Sequence, residues 1–142
     1  MRLVVDASVA LKWFVQEDLS DLAAELLADF VEGRVELWAP EVLRVEVANG
    51  LRKCSASGVV DEGRVMEAIG CLADLGIEER RIDWDFLSRS TLLALRAHIT
   101  VYDALYVSTA EELDTKVVTA DEKLCRSRVK DRVMHIGDYS LR

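Results

Sequence analysis

The chain has 142 residues, 51% hydrophobic and 31% charged, so it is long and apolar enough to bury a full core and does not have the composition of a disordered protein. Its formal net charge of -8 argues against a basic nucleic-acid-binding module, although a net charge does not say where the charges lie. No stretch approaches the roughly 18 apolar residues of a membrane span, and Asp6 breaks the first apolar run, so we expect a cytoplasmic protein without a membrane anchor or signal peptide.

Short β-rich runs alternate with longer helical runs along the chain, which is typical of βα units and predicts an α/β fold with a parallel sheet. In chain order, strands are predicted over residues 3–5, 35–38, 77–83, 116–119 and 133–136. Helices are predicted over residues 8–15, 20–31, 40–55, 61–75, 84–97 and 100–113, with a short one from Asp121. The chain contains one proline, Pro40, which suits a first helical position, and no linker or repeat, so we expect a single domain over residues 1–142.

Two carboxylates in the first third of the chain lie where a purely structural role competes with a functional one. Asp6 follows the first strand directly, and capping the next helix is the commonest role of an aspartate there. Glu46 lies on or beside the apolar face of the third helix, within one turn of Val42 and Val45. A glutamate in that position either extends to water at the edge of the core or has a partner that offsets its burial.

Two further carboxylates follow in the second half of the chain. Asp103 has the spacing of a capping box with Thr100, yet it lies in a largely apolar helix start. Asp121 follows a predicted strand, where Thr119 and Glu122 have the spacing of the capping pair, so Asp121 is not needed for that cap. A favourable interaction with the helix dipole is its alternative role.

The joint pattern of the four carboxylates carries more weight than any one of them. Asp6 and Asp121 both follow putative parallel strands, and ligands of open α/β sheets bind at the carboxyl edge of the strands. Four acids converging there would repel one another unless a cation neutralised them. The cluster offers oxygen ligands only, as Mg²⁺ and Mn²⁺ prefer, whereas three cysteines without CxxC spacing and two histidines make a zinc site unfavourable.

Four segments, VVDASVALKWF, PEVLRVEVANGLRK, YDALYVSTAEEL and VVTADEKL, occur in this order over nearly the whole chain. Together they resemble the PIN-domain family, and in particular the VapC-type toxins of prokaryotic toxin–antitoxin modules. The resemblance implies a three-layer α/β/α sandwich with a small parallel sheet. It also implies an acidic metal site formed by Asp6, Glu46, Asp103 and Asp121, with the hydroxyls of Ser8 and Thr119 orienting the site or its water.

The activity that the resemblance implies is metal-dependent endonucleolytic cleavage of RNA, silenced by a cognate antitoxin. One Mg²⁺, or Mn²⁺ as an alternative, would lower the pKa of an attacking water, and a second ion about 4 Å away would stabilise the leaving oxygen. The expected products carry 5′-phosphate and 3′-hydroxyl ends. A homodimer is a further expectation from the family.

Substrate and partner surfaces are less well indicated by the sequence. An RNA-binding rim would need basic residues, although a solvated face is the commoner meaning of such charges. The candidates are Lys12, Arg44, Arg52, Lys53, Arg126, Arg128, Lys130 and Arg132. We expect part of the apolar surface around Trp13 and the helix over residues 20–31 to dock a helix of the antitoxin.

Three other functions remain open. A phosphotransferase with Asp6 as nucleophile usually has a second aspartate two residues on, where this chain has Ser8. Within the family, a housekeeping RNA-processing nuclease is an alternative, and so is a non-catalytic scaffold that binds RNA or protein. The absence of G-x-G and of a P-loop lysine excludes the common nucleotide-binding motifs.

Overall fold

The structure, a computed structural model, describes residues 1–141. Within this range the chain forms five strands and seven α-helices, joined in three places by short 3₁₀ turns. The strands are β1 (Arg2–Val5), β2 (Glu36–Pro40), β3 (Glu78–Arg80), β4 (Val117–Thr119) and β5 (Val133–His135). The helices are α1 (Ala7–Ala10), α2 (Ser20–Val31), α3 (Val42–Ala56), α4 (Glu62–Asp74), α5 (Trp84–Ala97), α6 (Val101–Glu112) and α7 (Glu122–Cys125).

The five strands form one parallel sheet in the order β3-β2-β1-β4-β5. β1 and β4 are adjacent, with Val5 opposite Val118, although more than one hundred residues separate them in the chain. The chain moves outward from β1 to β3 and then crosses back to β4, so the direction of winding reverses between β1 and β4. Such a switch point leaves a crevice at the carboxyl ends of the two strands, where α/β proteins bind their ligands.

Helices cover the sheet in two groups. The first four helices lie between β1 and β3 in the chain and pack on one another, with α3 also against β2. α5 packs on α6, which contacts β1 and β2 from the other side. The predicted α/β fold with a small parallel sheet between helical layers is therefore confirmed. The central strands and the faces turned to them supply the core, which includes Val4, Val5, Leu37, Val117 and Val118, each fully buried.

Several predicted boundaries are wrong for identifiable reasons. The helix expected over residues 8–15 is a four-residue α-helix followed by a 3₁₀ turn, Leu11–Trp13. Pro40 ends β2 instead of opening α3, because its fixed φ suits an extended strand as well as a first helical turn. The strand expected over residues 77–83 is reduced to the edge strand β3, whose polar sequence gives little apolar surface to bury.

The helices over residues 20–31 and 84–97 end where the hydrophobic pattern predicts. α5 begins with an aspartate cap, in which the Asp83 carboxylate accepts a hydrogen bond from the Phe86 N–H at 2.8 Å.

Among the helices of residues 1–141, none is both long and apolar enough to cross a bilayer.

Phe86 is the fully buried aromatic side chain of α5, whereas Trp84 on the same helix lies in solvent. The Phe86 side chain is fully buried, and the Arg80 guanidinium lies 4.2 Å from the centre of its ring, while Trp84 is 84% exposed. Phe86→Ala should lower the free energy of unfolding by about 3–5 kcal/mol, the usual cost of truncating a buried aromatic side chain. Trp84→Ala, the matched control, should change it by less than about 0.5 kcal/mol. Urea denaturation measures both, and equal effects would contradict this packing of α5.

Candidate functional site

Asp6 lies at the carboxyl end of β1, where it is both a helix cap and a buried carboxylate. Its Oδ1 accepts hydrogen bonds from the Ser8 hydroxyl at 2.6 Å, the Ser8 N–H at 3.0 Å and the Val9 N–H at 3.3 Å. The side chain is only 6% exposed, and burial raises the pKa of Asp6 to about 6 despite these hydrogen bonds. The capping role expected from the sequence is therefore real, but the cap alone leaves a buried charge without an ion-pair partner.

The hydroxyls of Ser8 and Thr119 join the ends of β1 and β4. Their oxygens are 3.3 Å apart, close enough for a hydrogen bond that either hydroxyl can donate, and both hydroxyls lower the pKa of Asp6. Ser8 Oγ also accepts from the Ala120 N–H at 2.9 Å, and Thr119 Oγ1 accepts from the Asp121 N–H at 3.0 Å. The two hydroxyls thus hold the backbone that carries Asp6 and Asp121.

The cap of α7 differs from the one predicted. We expected Thr119 and Glu122 to form it, but the Asp121 carboxylate accepts from the Lys123 N–H at 2.8 Å and caps the helix itself. Thr119 is not available because its hydroxyl is engaged with Ser8 and with the Asp121 N–H. The capping pair predicted from spacing is wrong because a contact with a distant strand takes the hydroxyl.

Glu46 extends from α3 toward this edge and has a buried oxygen without a hydrogen-bond partner in residues 1–141. The hydroxyl of Tyr106, a residue that is 2% exposed, is likewise buried and unpaired in that range. The two groups interact without forming a hydrogen bond of standard geometry. Burial raises the pKa of Glu46, the Tyr106 hydroxyl lowers it, and the charge of Asp103 raises it again. Tyr106 is a site residue that our sequence reasoning missed, although its position three residues after Asp103 placed it on the same helix face.

Asp103 interacts electrostatically with each of the other three carboxylates. Its charge raises the pKa values of both Asp6 and Glu46. Its own pKa is raised first by burial and then by the charge of Asp121, and is lowered by the hydrogen-bonding interaction with Thr100. The Thr100 hydroxyl accepts from the Asp103 N–H at 3.0 Å, which fixes the start of α6. The fold therefore brings the four predicted carboxylates into electrostatic contact through Asp103.

No basic side chain compensates this negative charge: none of the four carboxylates takes part in the ion pairs formed within residues 1–141. In the same range, no three Asp, Glu, His or Cys side chains are arranged to hold a metal ion as they stand. The four carboxylates therefore approach one another without enclosing an ion site. The donor set itself fits a hard divalent cation, since it offers carboxylate oxygens, including the unpartnered Glu46 Oε1.

Most of the basic residues predicted for an RNA rim are paired elsewhere. Lys12 binds Glu17 at 3.0 Å, Arg132 binds Asp114 at 2.9 Å and Arg44 pairs with Glu79. Arg126 is 3.8 Å from Glu122, and Arg128 donates to the Arg96 carbonyl. Contacts within the protein therefore occupy much of the basic surface that was predicted to bind RNA.

The apolar surface around Trp13 differs in part from the expectation. The Trp13 Nε1–H donates to the Ala23 carbonyl at 2.9 Å, so this side chain secures the 3₁₀ turn to α2. A small cavity of about 180 Å³ beside Trp13 and Phe14 is bounded by residues of α4 rather than α2. The docking surface expected on α2 stays a prediction.

Comparison with known proteins identifies a matching family model and several similar proteins. The model of the PIN domain family matches residues 3–130. Ribonuclease VapC3 of Pyrobaculum aerophilum is 32% identical over 136 residues, which cover 87% of this chain and 92% of that protein. Ribonuclease VapC9 of Mycobacterium tuberculosis is 32% identical over 130 residues, covering 86% and 87% of the two chains.

Solved structures show the same fold at lower sequence identity. The crystal structure of PAE2754 from Pyrobaculum aerophilum superimposes with a TM-score of 0.71 at 19% identity, covering 96% of this chain and 93% of that one. A chain of a toxin–antitoxin complex from Klebsiella pneumoniae gives a TM-score of 0.62 at 18% identity, covering 98% and 99%.

The burial of Asp6 predicts a pH-dependent penalty on stability. Because the Asp6 pKa rises from 3.8 when unfolded to about 6 when folded, the folded chain holds a proton that the unfolded chain releases between these values. The contribution of Asp6 to stability is therefore highest below pH 3.8 and is lost as the pH rises to about 6. The shift corresponds to at most about 3 kcal/mol.

Asp6→Asn removes this penalty and keeps an oxygen that accepts the hydrogen bonds. In EDTA the variant should exceed the wild type in free energy of unfolding by about 1–3 kcal/mol near neutral pH, with a smaller gain near pH 4. Asp85→Asn, at a side chain that is 82% exposed, is the control and should show no such trend. Urea denaturation across this pH range measures the difference, and a less stable Asp6→Asn protein at neutral pH would contradict it.

Proposed function

The chain belongs to the PIN-domain family, and on this premise we propose that it is a metal-dependent endoribonuclease, the toxin component of a VapBC-type toxin–antitoxin module. The observation that carries the proposal is the group of four carboxylates, coupled through Asp103 and without a basic partner in residues 1–141. Relatives that are named ribonucleases, at 32% identity over most of the chain, support the reaction class.

Asp6, Glu46, Asp103 and Asp121 are the residues we propose to hold Mg²⁺, or Mn²⁺ as the alternative. When bound, the cation would neutralise the cluster, draw a phosphodiester oxygen toward it and lower the pKa of the attacking water. A structural role alone does not explain Glu46 Oε1, because an unpaired buried carboxylate oxygen costs free energy in a stable fold.

The protein supplies orientation for this chemistry. Three donors, the Ser8 hydroxyl and the N–H groups of Ser8 and Val9, fix the Asp6 carboxylate through Oδ1. The Ser8–Thr119 contact holds Asp6 and Asp121 at a set separation across two strands. The buried Tyr106 hydroxyl lowers the pKa of Glu46 and so favours its charged form. Such locked side chains keep a site in its productive geometry.

An antitoxin is the proposed protein partner. The toxin–antitoxin complex from Klebsiella pneumoniae supports this, since one of its chains shares the fold. The half-buried apolar side chains of Leu11, Trp13 and Phe14, with the cavity beside α4, form the surface we propose to dock an antitoxin helix. A homodimer is proposed as well, from the family alone.

Cleavage of RNA by purified protein tests the proposed reaction. With Mg²⁺ or Mn²⁺, the wild type should cut RNA and leave 5′-phosphate and 3′-hydroxyl ends, and EDTA should stop cleavage. Asp6→Asn and Asp103→Asn should each lower the rate by more than about 100-fold, since even residues that only support metal ligands change activity by about 10–100-fold. Asp85→Asn is the control and should cut at the wild-type rate. Mutants of the acidic group that cut as fast as the wild type would refute the nuclease proposal.

Growth on expression separates a toxin from other nucleases of the family. Expression should arrest growth, and co-expression of the product of an adjacent small gene should relieve the arrest. Expression of the Asp103→Asn variant should leave growth unaffected. A wild type that cuts RNA in vitro and leaves growth unaffected would favour a housekeeping RNA-processing nuclease.

A further inference from the structure

A cleft of about 540 Å³ opens beside the acidic group, between the start of α1, one face of α3 and the start of α6. Its volume lies within the range of roughly 300–1,000 Å³ typical of ligand sites. Ser8 and Glu46 form its inner end, so the cleft is continuous with the proposed cleavage site. Lys53 and Tyr102 belong to its wall and have no role in the acidic group itself.

Tyr102 is an exposed aromatic side chain at the start of a helix whose central residues are buried. It is 58% exposed, whereas every residue from Ala104 to Ala110 is buried. It lines the same cleft as Ser8 and Glu46, which ties its position to the acidic group. Core packing does not explain this ring, and an exposed aromatic in a cleft offers a flat surface on which a base can stack.

Lys53 is a basic side chain in the lining of the cleft. It is exposed and forms no ion pair within the part of the chain that the structure describes, in contrast to Lys12 and Arg132. Asn49 lies between Glu46 and Lys53 on the same face of α3 and also lines the cleft. Its Oδ1 accepts from the Arg52 Nε–H at 3.1 Å, which orients the amide and leaves its NH₂ group to donate.

The spacing of these groups suits a polymer that leads away from the acidic group. Seven residues separate Glu46 from Lys53, which is a rise of roughly 10 Å along α3. Successive stacked bases of a nucleic-acid strand rise about 3.4 Å, so the face spans about three nucleotides. Its polar groups follow Glu46 along one face of α3, and Tyr102 of α6 lines the same cleft.

We propose that this cleft binds an unpaired stretch of the RNA substrate next to the scissile phosphodiester, with Tyr102 stacked on one base and Lys53 paired with a backbone phosphate. The inference rests on the proposed function and adds the two side chains, Tyr102 and Lys53, that position the substrate. A base inside a duplex is covered by its neighbours, so a stacking residue selects single-stranded segments, loops and ends. Asn49 donates to the same nucleotide or to its phosphate.

Binding of a short, fluorescently labelled single-stranded RNA tests the proposal independently of cleavage. Anisotropy titrations use Ca²⁺ in place of Mg²⁺, with gel electrophoresis to verify that the RNA stays whole. Tyr102→Ala should weaken binding by about fivefold or more, as loss of a stacking aromatic does, while Tyr102→Phe keeps the ring and the affinity. Lys53→Ala should weaken binding and reduce the slope of log K against log salt by about one. Trp84→Ala and Lys116→Ala, at exposed side chains outside the cleft, are the matched controls and should bind like the wild type.

A scan with one abasic nucleotide locates the stacked base. At one position the missing base should weaken binding of the wild type by the same factor as Tyr102→Ala, and the two changes together should cost no more than either alone. A duplex of the same sequence should bind more weakly and be indifferent to Tyr102→Ala.

Unchanged affinity of Tyr102→Ala for single-stranded RNA would overturn the inference. It would also be overturned if, at every abasic position, the affinity losses from the missing base and from Tyr102→Ala multiplied when the two changes were combined. Loss of antitoxin binding by Tyr102→Ala with RNA affinity unchanged would overturn it in favour of a protein-binding cleft. These outcomes are distinct from failure of the proposed function. Cleavage that is insensitive to Asp6→Asn refutes the nuclease, whereas cleavage that depends on Asp6 with Tyr102→Ala binding RNA normally refutes only the stacking site.

Discussion

Uncompensated negative charge at the carboxyl edge of the sheet is the constraint on which the proposed function depends. Within residues 1–141, Asp6 is buried with a pKa raised to about 6, and Glu46 has a buried oxygen without a partner. The charge of Asp103 raises the pKa of both carboxyl groups. A fold selected for stability alone would replace such a group or pair it with a basic residue, because burying a charge without a partner is costly. The cost is understandable if a divalent cation completes the site.

The topology explains how residues far apart in the chain reach this edge. β1 and β4 are neighbours at the switch point of the sheet, and the Ser8–Thr119 contact fastens their ends. α3 and α6 belong to opposite helical layers, and they bring Glu46 and Asp103 to the same edge of the sheet. The same placement of α3 and α6 leaves the cleft lined by Lys53 and Tyr102. Chemistry and substrate binding would thus share two helices, so a shift of either helix should alter both.

The sequence predicted more of the fold than of the contacts within the site. Hydrophobic periodicity and the alternation of runs predict the parallel sheet and most helices, because both depend on local pattern. Pro40 and the cap of α7 were predicted wrongly, because proline suits two conformations and the Thr119 hydroxyl is taken by Ser8. The approach of Tyr106 to Glu46, and the ion pairs that occupy Arg44 and Arg132, depend on packing between segments that are distant in the chain. Such contacts have no signal in a single sequence.

Direct measurement of cation binding decides whether the acidic group holds a divalent ion. Mn²⁺ titrated into the protein and followed by electron paramagnetic resonance should saturate a defined site, and Mg²⁺ should displace it. Because Asp103 couples the other three carboxylates, Asp103→Asn should weaken Mn²⁺ binding by more than about tenfold, while Asp85→Asn leaves it unchanged. An Asp103→Asn protein that binds Mn²⁺ as tightly as the wild type would contradict the shared site.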